Sequence, residues 1–277
     1  MPIPVRLLRP ALCAALLAAT ATAGAKPPPE QPDNLLNDTF TLQAGIVFSS
    51  NSTDVRKDSS AGTPGTELNG EGDLGLASRK LTGLGELTFR IRKRHRIRIA
   101  DYFVPLDRSA TRTLATAINF GDTTYNVGDS VNSELKVHAL AIAYTYSFVK
   151  NEHVELGASL GFNEYDLATQ VAVPSRLRYE YYERSAPAPL LGLEGEARLS
   201  SRFYVEARFQ DMHAHFGEVH GTLSSYQGNL LYRYSPNVTA GLGYIGYHVD
   251  VDVTTVGDSG HFALRSAGPQ LFARVGF

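Results

Sequence analysis

The stretch Phe203-Tyr204-Val205-Glu206-Ala207-Arg208-Phe209 decides the fold. Phe203, Val205, Ala207 and Phe209 are apolar, and Tyr204, Glu206 and Arg208 between them carry polar or charged groups. A period of two is that of a β-strand, whose successive side chains point to opposite faces. The same alternation runs through 191–199, 87–92 and 96–99. Working outward from it gives ten runs: 40–50, 81–92, 96–108, 134–149, 152–166, 190–200, 202–216, 221–234, 237–253 and 262–277. Helical periodicity is hard to find, and no stretch is apolar for the 18 or so residues of a transmembrane helix.

The connections alternate in length. Those at 93–95, 150–151, 201 and 235–236 are very short, whereas 51–80, 109–133 and 167–189 are long. A soluble sandwich has no reason to place its tight turns at one end. A transmembrane barrel has that asymmetry. The expected fold is therefore all-β: a single antiparallel transmembrane β-barrel of ten strands, with eight as the alternative count. Its short turns would be periplasmic and its long loops extracellular. The runs exceed the 9–11 or so residues of a tilted spanning strand, so several should project beyond the lipid. Segments 113–120 and 123–127, either side of Gly121-Asp122, are expected to continue the third and fourth strands upward, and 177–183 the sixth.

Three regions follow. Residues 1–25 read as a cleaved secretory signal, with Arg6 and Arg9 before an apolar core at 11–21 and the small residues Ala23-Gly24-Ala25 at the cut. Residues 26–38, with Pro27, Pro28, Pro29 and Pro32, are expected to be an extended periplasmic tail. Residues 39–277 form the barrel. The one cysteine, Cys13, lies in the signal, which excludes a disulfide framework and a Cys-rich zinc site. A net charge of −2 argues against a nucleic-acid partner. The mean hydropathy of −0.16 suggests solubility only until alternation is considered, because half of every barrel strand stays polar.

In a membrane barrel the apolar face meets lipid. The outward set is Leu87, Phe89, Ile97, Ile99, Leu156, Leu160, Leu193, Phe203, Val205 and Leu242. Aromatic girdles are expected at both interfaces. Tyr144, Tyr146, Phe148, Phe203, Tyr232, Tyr234 and Phe277 lie near the short turns, and Phe48, Phe103, Phe162, Tyr247 and Phe262 near the long loops. The inward charges are Glu86, Arg90, Arg92, Arg98, Glu155, Glu194, Glu196, Arg198, Glu206, Arg208, Arg233 and Arg274. Either they pair across a narrow lumen and lock it, or they line a path that selects small solutes by charge. The apolar register changes parity near Ala139 and between Tyr244 and Tyr247, and a β-bulge at each place would restore it.

The last strand carries a resemblance. Leu271, Ala273 and Val275 alternate up to a C-terminal Phe277, which is similar to the assembly signal of bacterial outer-membrane barrels. Asn132-Ser133-Glu134-Leu135, Tyr144-Thr145-Tyr146-Ser147-Phe148 and 155–161 also resemble small Gram-negative outer-membrane barrel proteins, a group largely without assigned activity. The resemblance implies outer-membrane location and, as partners, membrane lipid and lipopolysaccharide, periplasmic chaperones and the barrel-assembly machinery. It implies no cofactor.

Three chemical readings were weighed against this. Omptin-type proteases share the ten-stranded form and use an Asp–His and an Asp–Asp pair; here Asp211, His213, Asp250 and Asp252 stand in the reverse order and only one strand apart. His213 and His215, with Glu218 near, have strand spacing for a divalent ion, among five histidines at the loop end that include His220, His248 and His261. Asn69-Gly70-Glu71-Gly72-Asp73 has alternate oxygen ligands, but Leu74 replaces the glycine that a calcium loop needs, so it reads as a flexible loop. The expectation is no catalytic site and no metal. The leading role is a structural barrel or narrow passive channel, the alternative an adhesin or receptor acting through 51–80 and 109–133, and the minor one an omptin-like protease.

Overall fold

The computed structural model describes residues 34–277 except 174–177, 217 and 256, and omits the side chains of 103–106, 167, 178–187, 214–216, 219 and 258. The signal reading at 1–25 and most of the tail lie outside these residues. Thirteen strands follow a short 3-10 turn, Leu35–Asn37: β1 Phe40–Lys57, β2 Leu68–Asn69, β3 Arg79–Arg92, β4 His95–Thr113, β5 Ile118–Phe120, β6 Thr123–Tyr125, β7 Ser130–Lys150, β8 Val154–Val173, β9 Arg178–Arg198, β10 Phe203–Phe216, β11 Val219–Arg233, β12 Val238–Thr255 and β13 Asp258–Gly276. Ten of them form one antiparallel ring in the order β1-β3-β4-β7-β8-β9-β10-β11-β12-β13, closed where β13 pairs with β1 from Thr41–Gly276 to Lys57–Gly260. The ten sequence runs correspond one to one with these wall strands. Closure leaves the ring no free edge strand.

Tight turns join the strands at one end. At the other, two long loops, 58–78 and 114–129, carry the extra strands. Segment 167–189 is not a loop, because β8 and β9 pair as far as Val173–Arg178. Segments 113–120 and 123–127 do not extend the wall either. The wall pairing of β4 and β7 ends at Thr113–Ser130, and β5 and β6 make a separate hairpin turned at Gly121, whose φ of 63° suits glycine.

The outer surface changes character along each strand. On β1 the outward residues are Phe40, Leu42, Ala44, Ile46 and Phe48, then Ser50, Ser52 and Asp54. On β7 they are Phe148, Tyr146, Tyr144, Ile142 and Leu140, then His138, Lys136 and Glu134. On β12 Val238, Ala240, Leu242 and Tyr244 precede His248, Asp250 and Asp252. The apolar belt is thus about nine residues deep, roughly 20 Å at the tilt of a barrel strand, as a bilayer core requires. Its turn-side edge carries Tyr144, Tyr146, Phe148, Phe203, Tyr234 and Phe277, all exposed, and its other edge Phe48 and Phe162.

Above the belt the inside inverts as well. Val131, Leu135, Val137, Leu223, Ile245, Val249, Phe262 and Leu264 point inward and pack with loop residues in one buried cluster. This corrects the two expected bulges. Inward burial on β7 alternates without a break through Ala139, and the register of β12 with both neighbours is continuous. The apolar residues change face because the strand leaves the lipid, where a polar exterior over an apolar core becomes the stable arrangement. Tyr247 and Phe262 accordingly line the interior and belong to no girdle. A wide irregularity lies on β4, where Tyr102–Leu106 spans one residue of β7 between Ala139 and Val137. Pro105 falls there, and proline, having no N–H, is tolerated in a strand at such a bulge.

Candidate functional site

Within the belt the wall turns Glu206 and Arg208 inward, as their alternation requires, and neighbouring strands add matching charges. Arg208 grips Glu86 with both terminal nitrogens, at 2.9 and 3.2 Å. Five positions separate β3 from β10 in a ring of ten, so this pair is a strut across the full lumen. Arg90 holds Glu155 in a fork at 2.9 Å on both oxygens, and Lys150 adds a contact at 2.7 Å. Arg96 and Arg98 reach Glu194 at 2.5 and 2.7 Å. Arg274 reaches Glu206 at 2.6 Å and also donates to Gln43 Oε1 at 2.9 Å. Carboxylates and guanidiniums buried in so narrow a space persist only when paired and hydrogen-bonded. Uncharged amides complete the layer: Gln270 donates to Asn229 at 2.6 Å, and Asn229 donates to Glu206 at 3.3 Å.

Both ends of this layer are closed. On the turn side, the 3-10 turn sits in the opening. Leu35 and Leu36 pack on Tyr204, Leu231 and Phe272. Asp38 pairs with Arg233 at 3.0 Å, the Lys150 ammonium donates to the Leu36 carbonyl, and Asn34 donates to the Glu152 carbonyl at 2.7 Å. Burial pushes the Asp38 carboxyl above its usual range, with Arg233 drawing it part-way back. Residues 34–38, the last of the expected periplasmic tail, therefore plug the opening.

On the loop side, Leu68, Leu74, Leu76, Leu114, Ile118, Phe120 and Tyr125 are buried against the upper wall. The β5–β6 hairpin spans the mouth: Gly121 N–H donates to Lys57 on β1 at 2.9 Å, and the Tyr125 hydroxyl to Val171 on β8 at 3.0 Å. The 69–73 segment is not flexible. Glu71 accepts from Thr53 N–H at 2.8 Å and from the fully buried Arg108, and Asn69 and Asp73 cap the turn between them. Between plug and mouth a cavity of about 50 Å³ remains, lined by Thr88, Thr145 and the charged residues of the layer. That is room for a few waters.

Most of the expected inward charges meet in this layer: Glu86, Arg90, Arg98, Glu155, Glu194, Glu196, Glu206, Arg208 and Arg274, with Arg233 at the plug. Two do not. Arg92 lies past a register shift at Arg90/Arg92 and is exposed, and Arg198 sits at a turn, donating to the Ser200 carbonyl at 3.1 Å. The inward list omitted Arg96, which shares a face with Arg98 and was findable by parity. It also omitted Asp38 and Lys150, for which the strand period gives no signal. Leu271, Ala273, Val275 and Phe277 lie along the outer face of the closing strand β13.

Of the loop-side histidines, His213 and His261 lie among acidic neighbours above the belt. Asp211 and His213 approach within 3.4 Å, both exposed, on the outer face of β10. Asp101 and His138 meet at 2.8 Å just above the belt. His261 sits between Glu67, at 2.7 Å, and Asp250, at 3.4 Å. Burial alone would lower the pKa of His261; the hydrogen bond to Glu67 and the charges of Glu67, Asp252 and Asp250 outweigh it and raise the value above the ordinary one. No hydrolytic pair of acids faces Asp211–His213 across the lumen among the described residues.

No protein-family model matches the chain, and no curated protein matches its sequence. Solved structures do. The outer membrane protease OmpT from Escherichia coli is similar with a TM-score of 0.56 over 89% of this chain and 97% of that one, at 12% identity. The fold is that of an outer-membrane β-barrel. Lower-scoring likenesses include the toluene transporter TbuX of Ralstonia pickettii (TM-score 0.38, 9% identity, 88% and 91% of the two chains). Another is the attachment invasion locus protein Ail of Yersinia pestis (TM-score 0.30, 9% identity, 83% and 98%). At these identities the likeness is one of fold alone.

Proposed function

We propose that the chain is a non-conducting structural barrel of the bacterial outer membrane, without enzymatic activity, whose filled lumen braces the wall. The observation that carries this is the Arg208–Glu86 strut across the full lumen, in a layer covered by apolar packing on one side and by residues 34–38 on the other. A passive channel through the same Arg/Glu layer would need both covers to move. Liposomes reconstituted with the pure protein test this. Swelling in small sugars equal to that of protein-free liposomes supports the structural role, and faster swelling overturns it in favour of the channel.

An adhesin or receptor role draws on a separate observation. The strands continue beyond the belt with a polar outer face and a packed interior, which makes a rigid platform rather than free loops. In that reading the polar tops of 58–78 and 114–129 make the contact, and deleting the 114–129 hairpin removes cell-surface binding while the barrel still inserts. A protease role has only Asp211–His213 in its favour. Basic peptides incubated with the protein should remain intact, and cleavage lost in His213→Ala would contradict this. As partners, the apolar belt suits membrane lipid and lipopolysaccharide. The outward Leu271, Ala273, Val275 and Phe277 suit the assembly machinery, with chaperones needed for the exported chain before insertion.

A further inference from the structure

We propose that the lumen cavity binds a small monovalent anion, of chloride size, on the free edge of the Arg98 guanidinium. Arg98 is 4% exposed. Its Nη1 is used by Glu194 at 2.7 Å, but Nε and Nη2 have no partner. Those two N–H groups form the edge with which arginine grips an anion bidentately. Arg98 lines the 50 Å³ cavity together with the Thr88 and Thr145 side chains.

Charge makes the occupant an ion rather than water alone. On the turn-side level, Arg90, Lys150 and Arg274 face Glu155, Glu196 and Glu206, three against three. At the plug, Arg233 faces Asp38. Arg96 bridges Glu194 and Glu155, Arg98 holds Glu194, and Arg208 touches Glu86, Glu194 and Glu206, so over the whole layer and plug Arg90, Arg96, Arg98, Lys150, Arg208, Arg233 and Arg274 face one carboxylate fewer: Asp38, Glu86, Glu155, Glu194, Glu196 and Glu206. One guanidinium charge is left over among buried side chains. An uncompensated charge there is strongly unfavourable, and water supplies hydrogen bonds but no countercharge. Glu196, whose Oε1 has no hydrogen-bond partner, also lines the cavity, and its charge is already included in that count. A chloride fits the volume, and a dianion would reverse the imbalance. Since Leu35 and Asp38 also line the cavity, the anion exchanges when residues 34–38 leave the opening, and is otherwise trapped at folding.

Bromide serves as the probe, on the full-length mature protein. Crystals grown in sodium bromide should show an anomalous peak within hydrogen-bonding reach of Arg98 Nε and Nη2. The thermal unfolding midpoint should be higher in bromide than in gluconate, which is too large for the cavity, at equal ionic strength. That salt difference should vanish in Arg98→Gln. No anomalous peak at the Arg98 fork, a midpoint equal in the two salts, or a peak that survives Arg98→Gln would each overturn the proposal. If Arg98→Gln fails to fold, the wild-type anomalous map decides. The outcome is independent of whether the barrel conducts.

Discussion

Replacing Arg208 by methionine removes one end of the strut across the lumen. Glu86 is then left 8% exposed, without the two hydrogen bonds at 2.9 and 3.2 Å that hold it. Glu194 loses a contact at 3.5 Å but keeps Arg96 and Arg98, so the cost concentrates on Glu86. Breaking a buried pair in this way costs about 3–5 kcal/mol, a factor of roughly 10²–10³ or more in the folding equilibrium. Replacing both ends, Arg208→Met with Glu86→Leu, leaves no orphaned charge. Apolar substitution of a whole buried pair is close to neutral, so the double variant should recover most of the loss and lie within about 1–2 kcal/mol of wild type. The assay is urea unfolding in lipid vesicles, read by the gel mobility difference between folded and unfolded barrel and by tyrosine emission. A double variant less stable than Arg208→Met alone would refute the reasoning, because Glu86 and Arg208 would then not be partners across a dry lumen.

Other consequences follow from the same geometry. Cys13 is the one cysteine in the sequence and lies outside the described residues, so with Cys13 replaced by serine single cysteines report the inversion above the belt cleanly. Lys136→Cys should react with a water-soluble maleimide, Leu140→Cys only with a lipid-soluble reagent, and Leu135→Cys with neither in the folded barrel; lipid-phase labelling at 135 would restore the bulge reading. Leu36→Asp puts a charge where a fully buried leucine packs on Tyr204, Leu231 and Phe272, and should destabilise the plug by about 3 kcal/mol. Proteolysis near residues 34–38 should quicken while swelling assays stay silent, since the mouth remains filled. His261, its pKa raised by Glu67 and its neighbours, tethers the 58–78 loop most strongly when protonated. That contribution is complete below its unfolded value of about 6.5 and is lost as pH rises through the higher folded value. Proteolysis of the loop should therefore accelerate as pH rises, and His261→Gln should flatten the profile.

The period-two pattern made the wall legible, and with it the inward charges. Glu206 and Arg208 declare their face by the company of Val205, Ala207 and Phe209. The same rule failed at Leu135 and Val137, because it assumes that apolar residues face one environment along the whole strand. Beyond the belt the environment reverses, and so does the meaning of an apolar residue; Tyr247 and Phe262 fall on the inner face for that one reason. The parity shifts recorded the membrane boundary rather than bulges, while the true bulge on β4 was marked by Pro105. The plug was illegible for a different cause. Asp38, Leu35 and Leu36 act through tertiary contacts with Arg233, Tyr204 and Phe272, distant in sequence, and no local pattern announces such a contact. Segment 69–73 looked flexible by its glycines, yet Glu71 is held by Arg108 and Thr53 from two wall strands.

Single-molecule conductance in planar bilayers tests the sealed lumen most directly. Purified wild-type protein, inserted in one orientation and swept over both polarities, should leave the membrane at its baseline current. Steady, ohmic steps from the wild-type barrel would contradict the account, since an ion cannot pass the Arg208–Glu86 layer while the plug and the mouth packing are in place.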